Sequence, residues 1–216
     1  MKYKLTENKI DMNGIALYQV ECVTAFNDVQ VGDRGGYIER SENLSQSGNA
    51  WVYGNARVSG NARVYGNARV SGDAWVSGDA RVSGDAEVSG DAEVSGDAEV
   101  SGDARVYGNA RVYGNAWVYG DARVYGNARV YGNARVSGDA KVYGDADILW
   151  ISKIGSRLST TTVFKTSNGV GVSCGCFSGT LEEFEAKVRD THKDNRFGKE
   201  YKVLIDLIKI HFDIGG

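Results

Sequence analysis

The sequence predicts a mainly β fold: a parallel β-helix with an N-terminal β-hairpin cap and a C-terminal α+β domain. The first observation is a six-residue unit, Gly-Asn/Asp-Ala-x-Val-Tyr/Ser, which repeats from Gly48 to about Ile148. The second is its regularity, since Val occupies every sixth position from Val52 to Val142. A short, fixed period of this kind is typical of a solenoid, in which each repeat buries its apolar side against the next.

Each unit combines a short strand with a corner. Because successive side chains of a strand point to opposite faces, Ala56 and Val58 are expected to point inward and Arg57 and Ser59 outward. The Gly-Asn or Gly-Asp pair then provides residues that tolerate a positive φ, which suits the corner. Nothing longer than Val occupies the interior positions, so we expect a thin, uniform core.

The unit resembles that of hexapeptide-repeat proteins, which form a left-handed parallel β-helix with three hexapeptides in each triangular coil. This resemblance implies the left hand, an exception to the usual right-handed crossover. It also implies that residues eighteen apart stack at the strand spacing of ~4.8 Å. The units from Gly48 to Gly144 would then form roughly six coils, about 30 Å long.

The chain before the repeat predicts a cap. Asn13-Gly14 lies between two partly apolar runs, which indicates a β-hairpin with a type I′ turn. We interpret residues 38–47 as an atypical first coil whose edge the hairpin covers, with Ile38 and Leu44 in register with the later Ala positions. The predicted domains are an N-terminal β-hairpin cap (1–36), the hexapeptide-repeat β-helix (37–148) and a C-terminal ββαα domain (149–216).

The C-terminal domain is predicted from a change of pattern after the repeat. Residues 160–165 and 170–177 have the composition of strands, Thr180 to Glu183 form a capping box, and a second helix is expected from about Lys199. This unit could bury its own core, cover the last coil or mediate self-association. The apolar helix faces are Leu181, Phe184 and Val188, and then Tyr201, Leu204, Ile205, Ile208 and Phe212.

Charge along the repeat is segregated. Residues 73–103, the acidic belt, carry six Asp and three Glu against Arg81, a net charge of −8. The basic collars on either side are residues 51–71, with a net charge of +3, and residues 105–141, with +4. Opposite charges that stack would favour the correct register of the coils, whereas the alternative is a binding surface.

Aromatic residues accompany the second collar. With three units per coil, Arg105, Arg123 and Lys141 share a face with Tyr107, Tyr125 and Tyr143, and Arg111 and Arg129 share the next with Tyr113 and Tyr131. Tyr and Arg dominate protein-binding hot spots, although they also pack well on exposed sheets and suit a phosphate backbone. The net charge of −3 disfavours nucleic acid as the partner. The predicted partner-binding residues are Glu87, Glu93, Glu99, Arg105, Tyr107, Arg111, Tyr113, Trp117, Arg123, Tyr125, Arg129 and Tyr131.

Catalytic, cofactor and metal sites are not predicted. Hexapeptide-repeat proteins are often acyltransferases that use a coil His and an inserted loop, but here both histidines, His192 and His211, follow the repeat. Cys174-Gly175-Cys176 differs from the Cys-x-x-Cys spacing of redox and zinc motifs, and both thiols are expected to face the core. The corner Asp residues are interpreted as turn-stabilising rather than cation-binding.

The location is predicted to be the cytoplasm of a bacterial host. The sequence has no apolar run long enough to cross a membrane, and residues 1–5 lack the apolar core of a signal peptide. Three cysteines make no even disulfide framework, which favours a reducing compartment. We therefore expect no membrane partner.

The whole chain resembles a family of small phage- and prophage-encoded proteins, often labelled polymer-forming. The features are Val31-Gly-Asp-Arg-Gly-Gly-Tyr-Ile-Glu39, the Gly-Asn-Ala-Arg-Val-Tyr array and Ser173-Cys-Gly-Cys-Phe-Ser-Gly-Thr-Leu-Glu-Glu-Phe184. The resemblance implies a non-enzymatic protein that binds a host protein or complex, by analogy an inhibitor of host defence. The alternatives are a self-assembling scaffold, as a dimer, a trimer or an end-to-end stack, and an acyltransferase-like enzyme.

Overall fold

The protein, described by a computed structural model over residues 1–214, is mainly β, as predicted. Its centre is a parallel β-solenoid of about six turns, preceded by N-terminal strands and followed by a small sheet with two helices. The left hand of the winding and the domain boundaries remain predictions.

The long elements lie at the two ends of the chain and the short strands between them. The N-terminal strands are β1 (Tyr3–Met12), β2 (Ile15–Cys22) and β3 (Arg34–Ile38). The solenoid strands are Trp51–Val52 (β4), Arg57–Val58 (β5), Arg63–Val64 (β6), Arg69–Val70 (β7), Trp75–Val76 (β8), Arg81–Val82 (β9), Glu87–Val88 (β10), Glu93–Val94 (β11), Glu99–Val100 (β12), Arg105–Val106 (β13), Arg111–Val112 (β14), Trp117–Val118 (β15), Arg123–Val124 (β16), Arg129–Val130 (β17), Arg135–Val136 (β18) and Lys141–Val142 (β19). The C-terminal elements are β20 (Ile148–Ile154), β21 (Ser159–Thr166), β22 (Gly169–Cys174), β23 (Phe177–Thr180), α1 (Leu181–His192) and α2 (Arg196–His211).

Every third strand belongs to the same sheet, which confirms three units per coil. Face one contains β4, β7, β10, β13, β16 and β19; face two contains β3, β5, β8, β11, β14 and β17; face three contains β6, β9, β12, β15 and β18. From β4 to β19, neighbouring strands of a face are parallel and eighteen residues apart, so that Val58 lies opposite Val76. The Ala and Val side chains from Ala50 to Val142 are fully buried and form one continuous core.

The corners depend on glycine alone. Gly78 has a φ of +69°, and an added Cβ there would lie 2.9 Å from the backbone N of Gly96 in the next coil. Within the repeat, the glycine of each pair takes the positive φ and the neighbouring Asn or Asp does not. These side chains instead stack between coils, as where Asn61 Nδ2 donates to Asp79 Oδ1 at 2.8 Å.

The hydrogen-bond ladder of the solenoid has a direction. The N–H of Arg57 donates to the carbonyl of Ala74 in the following coil at 2.9 Å, and the same pattern recurs along all three faces. The first coil therefore presents carbonyl groups without ladder partners, and the last coil presents N–H groups. Because buried backbone groups need partners, the N-terminal cap must supply donors and the C-terminal cap acceptors.

Donors from the N-terminal residues cover the first coil. Lys2 Nζ donates to the carbonyl of Ala50 at 2.8 Å, and Asn43 Nδ2 donates to that of Ala62 at 2.8 Å. On face two the hairpin itself continues the sheet, because β2 pairs antiparallel with β3 and β3 pairs parallel with β5. Burial lowers the pKa of Lys2 to about 8, although the nearby Cys22 opposes the shift.

The N-terminal turn is confirmed, but the register of the first coil is not. Asn13 and Gly14 have φ values of 55° and 85°, as a type I′ turn requires. Ile38 pairs with Val58 and Leu44 bridges Val64, so they occupy Val positions rather than the predicted Ala positions. Eight residues separate Leu44 from Val52, where the repeat has six. This two-residue insertion shifts residues before it out of the six-residue numbering of the later units.

Acceptors cover the last coil. Asp145 Oδ1 accepts from the N–H of Arg129 at 3.0 Å, and Thr162 Oγ1 accepts from that of Arg135 at 2.9 Å. Asp147 Oδ2 accepts from the N–H of Tyr143 at 2.9 Å, while its other oxygen forms an ion pair with Lys165 at 2.7 Å.

The C-terminal region both covers the solenoid and has a core of its own. Strands β20 to β23 form an antiparallel sheet, so the structure adds β20 and β23 to the two predicted strands. Phe164 of β21 joins the solenoid core, whereas the other face of the sheet packs against both helices.

The helix boundaries follow from their N-terminal caps. The predicted capping box at Thr180 is present, and its hydroxyl accepts from the N–H of Glu183. The second helix begins at Arg196 rather than near Lys199, because Asn195 caps its first turn. Within residues 1–214, neither helix is long and apolar enough to span a membrane.

The acceptor cap makes stability depend on Asp147. Burial by itself raises the pKa of this carboxyl, but the Lys165 ammonium and two backbone N–H groups outweigh it, so the pKa lies below its ordinary 3.8. We expect Asp147→Asn to lower the free energy of unfolding at pH 7 by about 1–3 kcal/mol. Because a lowered folded pKa contributes stability that is lost as pH falls through it, the difference from wild type should shrink below pH 3.8.

Urea unfolding between pH 2 and 7 measures this effect, with the exposed Asp139→Asn as the matched control. Equal losses in the two variants at pH 7 would contradict the capping role of Asp147.

Candidate interaction surface

The outward side chains form columns one coil apart, as predicted. Glu87 lies between Arg69 and Arg105, Glu93 between Trp75 and Arg111, and Glu99 between Arg81 and Trp117. The three Glu residues of the acidic belt therefore lie one on each of the three faces.

The Glu residues of the acidic belt form fewer and longer ion pairs than their basic neighbours in the adjacent coils would allow. Glu87 pairs with Arg105 and Glu93 with Arg111, each at 3.6 Å, and all four side chains remain substantially exposed. Arg69 does not pair with Glu87 but turns to Asp28 of the N-terminal cap at 3.1 Å. Exposed pairs of this kind contribute only about 0–1 kcal/mol each, so they do not hold the fold together.

Like charges are stacked in the second collar. On face one Arg105, Arg123 and Lys141 occupy consecutive coils, and on face two Arg111 is followed by Arg129. No carboxylate intervenes in these columns, and the arginines are exposed. Like charges directly opposite each other destabilise a sheet, so maintenance of coil register does not account for this arrangement.

Tyrosine ladders run beside these columns. The rings of Tyr107 and Tyr125 stack with centroids 4.9 Å apart, and those of Tyr113 and Tyr131 stack at 5.0 Å. Tyr125 is only 8% exposed, because Tyr107 and Tyr143 cover the two sides of its ring. Of the predicted contact residues, Tyr125 therefore supports its neighbours and offers little surface to a partner.

The tryptophans of the repeat have different environments. Trp51 is 1% exposed, because Tyr3 and Phe26 of the N-terminal cap pack edge-on against it. It is therefore part of the capped core, although it occupies an outward position of the repeat. Trp117 is 43% exposed on face three, with the guanidinium of Arg135 4.9 Å from its ring centroid.

A groove of about 750 Å³ lies along face three, beside the C-terminal sheet. Arg135 of face three contacts the C-terminal sheet, since its Nη1 donates to the carbonyl of Gly175 at 3.2 Å. Residues 158–160 complete the wall, and the sequence carries no signal for this contact because it joins segments far apart in the chain. The groove is lined by Asp79, Arg81, Asp97, Glu99, Asn115, Trp117, Asn133, Arg135, Leu158, Ser159, Thr160 and Gly175.

The residues considered for catalysis lie in the C-terminal region. His192 is the last residue of α1 and stacks on Tyr201, with ring centroids 5.6 Å apart. The prediction that both thiols face the core is wrong, since Cys176 is exposed in the turn between β22 and β23. Among residues 1–214, no group of three His, Cys, Asp or Glu side chains could hold a metal ion.

The chain is a repeat β-solenoid protein. A family model described as the YdcK β-solenoid repeat matches residues 50–63, 62–78, 104–120, 116–132, 122–138 and 128–144. The matched segments cover both basic collars and leave out most of the acidic belt. Among curated proteins, none matches this chain significantly.

The charge columns lead to a prediction about stability. Arg123→Glu would place a carboxylate between Arg105 and Lys141, so we expect it to raise the free energy of unfolding by about 0.2–1 kcal/mol. Glu87→Arg would extend the basic column through Arg69, and we expect a loss of similar size.

Urea unfolding at low and high salt measures both changes, which should diminish as salt screens the charges. If Arg123→Glu instead destabilised the protein, Arg123 would have a structural role and the surface interpretation would lose its main support.

Proposed function

We propose that this protein is a non-enzymatic binding protein of phage origin, which holds a host protein or complex against the charged and aromatic faces of its solenoid. The role we favour is inhibition of a host defence complex, by analogy with phage accessory proteins, which commonly neutralise such complexes. In this role the solenoid acts as a rigid support, since its fully buried Ala and Val core leaves the outward columns fixed in spacing and direction.

One observation carries the proposal: the stacked like charges Arg105, Arg123 and Lys141 beside a tyrosine ladder. Such a column opposes folding, so its presence is more readily explained by a partner with a complementary acidic surface. Arg and Tyr are also the residue types that dominate protein-binding hot spots. The acidic belt on the same face adds a second, oppositely charged region, which would fix the partner's register along the solenoid.

The contact area is extended rather than concave. On face one, the six stacked strands of the sheet would span roughly 25–30 Å at ~4.8 Å per strand. Interfaces of standard size use about 800 Å² on each partner, so we expect a partner to contact most of this length. Arg111, Tyr113 and Arg129 on the adjacent face would extend it around the corner.

The proposal is tested by affinity capture from a bacterial lysate, followed by titration with the purified captured protein. We expect Arg105→Glu/Arg123→Glu to weaken its binding at least about tenfold, because the substitutions reverse two central charges. Arg63→Glu/Arg81→Glu is the matched control, since these two arginines are also exposed and stacked, but on face three.

Equal affinity of the two double variants would refute the role of face one. Capture that disappears after nuclease treatment would replace the protein partner by nucleic acid.

The second candidate function, a self-assembling scaffold, is favoured by one feature of α2. Val203, Leu207 and Ile210 are 70%, 43% and 79% exposed, and their spacing places them on one side of the helix. An exposed apolar stripe of this kind suits contact with a second copy of the chain. Because caps cover both ends of the solenoid, side-by-side pairing through α2 fits better than end-to-end stacking.

Sedimentation velocity over a range of concentrations tests self-assembly. If α2 pairs two copies, Leu207→Glu should give a monomer at concentrations where the wild type is a dimer, because a buried carboxylate would be unpaired at the interface. Lys202→Glu, exposed on the same helix, should behave as wild type. A wild-type protein that stays monomeric throughout would eliminate this candidate.

A further inference from the structure

Two cysteines share a small cavity in the C-terminal region. Cys174 ends β22, Cys176 lies in the tight turn before β23, and both line a cavity of about 220 Å³ between this turn and the two helices. Cys176 is exposed and Cys174 is half-buried. An exposed thiol and a half-buried thiol, two residues apart, thus line the same cavity.

The cavity is electropositive. The Arg157 guanidinium lies 4.0 Å from Cys176 Sγ, and Lys187 and His192 line the same cavity. Its lining among the described residues contains no carboxylate. A small molecule that carries negative charge would therefore be attracted to the exposed thiol.

The inner thiol is held in place by hydroxyl groups. Thr161 Oγ1 donates to Cys174 Sγ at 3.1 Å, and Tyr201 Oη lies 3.6 Å from the same sulfur. Tyr201 can approach because Gly155 opposes it, where a Cβ would overlap the hydroxyl. Burial raises the pKa of Tyr201 well above its ordinary value and the neighbouring Cys174 adds to the shift, so the hydroxyl keeps its proton.

We propose that Cys176 and Cys174 form a reversible thiol-modification site for a small, carboxylate-bearing disulfide. Cys176 takes up half of the ligand as a mixed disulfide, and Cys174 resolves it to an intramolecular Cys174–Cys176 bond. This site borders face three, where Arg135 donates to the carbonyl of Gly175, but it does not depend on the proposed binding function.

The two steps balance without a further reactant. In the first, Cys176 loses its proton to solvent and attacks one sulfur of the ligand, so that an S–S bond forms to the protein and the other half leaves as a thiol. In the second, Cys174 loses its proton to solvent and attacks the Cys176 sulfur, and the remaining half of the ligand leaves as a thiolate that takes up a proton from solvent. The protein is oxidised by two electrons and the ligand disulfide is reduced by two.

The turn permits the second step. The Cα atoms of residues two apart in a tight turn lie roughly 5–6 Å from each other, within the range that disulfides span. A bond across so short a loop is strained and exposed, which makes it readily reducible. Reversal by a small thiol is therefore part of the expected behaviour.

Cys22 offers an internal control. It is buried in the N-terminal cap, 1% exposed, and its thiol donates to the carbonyl of Thr24. It should not react under conditions that modify the C-terminal thiols.

The experiment treats the full chain with oxidised glutathione and follows it by intact mass and peptide mapping. Wild type should lose two hydrogens and acquire a Cys174–Cys176 link, which dithiothreitol removes. Cys174→Ser should instead accumulate one glutathione adduct on Cys176, and Cys176→Ser should form neither product. Cys22→Ser should react as wild type.

A second variant tests the electropositive cavity. Arg157→Gln should slow adduct formation with oxidised glutathione by roughly threefold or more, but leave the rate with the uncharged bis(2-hydroxyethyl) disulfide unchanged. Circular dichroism before treatment confirms that each variant is folded.

Three results would overturn the proposal: modification of Cys22 as fast as that of Cys176, no reaction of wild type, or a Cys174→Ser adduct located elsewhere than on Cys176. Each can occur whether or not a solenoid partner is found.

Discussion

The directional ladder between coils is the constraint on which the rest of this structure depends. Each solenoid strand contributes only two residues, so no such strand is stable by itself and its ladder hydrogen bonds depend on the neighbouring coil. The ladder leaves carbonyl groups open at one end and N–H groups at the other. The chain responds with different chemistry at its ends: Lys2 and Asn43 donate at the first coil, and Asp145, Asp147 and Thr162 accept at the last.

The same ladder converts a linear pattern into a surface. Residues eighteen apart become neighbours, so three successive units form one coil. Glu in place of Arg at the position after Ala in three such units, Glu87, Glu93 and Glu99, therefore gives one acidic ring around the solenoid. The fully buried Ala and Val leave no room for adjustment inside, so variation is confined to the outward positions. The inward side chains therefore stabilise the fold, whereas the outward ones are free to serve recognition. The outer columns can then carry like charges whose repulsion is small compared with the stability of the core.

The C-terminal region caps the solenoid core, contacts one of its outer faces and carries a pair of thiols. Its sheet buries Phe164 in the solenoid core, while its turn places the Gly175 carbonyl against Arg135 on face three. The same turn holds Cys174 and Cys176 in a cavity of their own. A segment that serves as an end cap therefore also brings a pair of thiols to the surface, at the edge of the groove that contains Trp117.

The sequence by itself determined the solenoid, the three faces, the charge columns and the hairpin turn at Asn13-Gly14, because each depends on a local period or on a residue with one conformational preference. Only the tertiary structure decided that Trp51 and Tyr125 are covered, that Ile38 and Leu44 take Val positions, and that Cys174 and Cys176 share a cavity with His192 and Arg157. The environments of Trp51 and of the two cysteines rest on contacts between segments far apart in the chain, and the positions of Ile38 and Leu44 rest on a two-residue insertion whose effect on register appears only when coils stack. Tyr125 is covered by Tyr107 and Tyr143 of its own column, and only their packed rings show how little of it stays exposed. A periodic pattern specifies which way a side chain points, whereas the neighbours that cover it come from elsewhere in the fold.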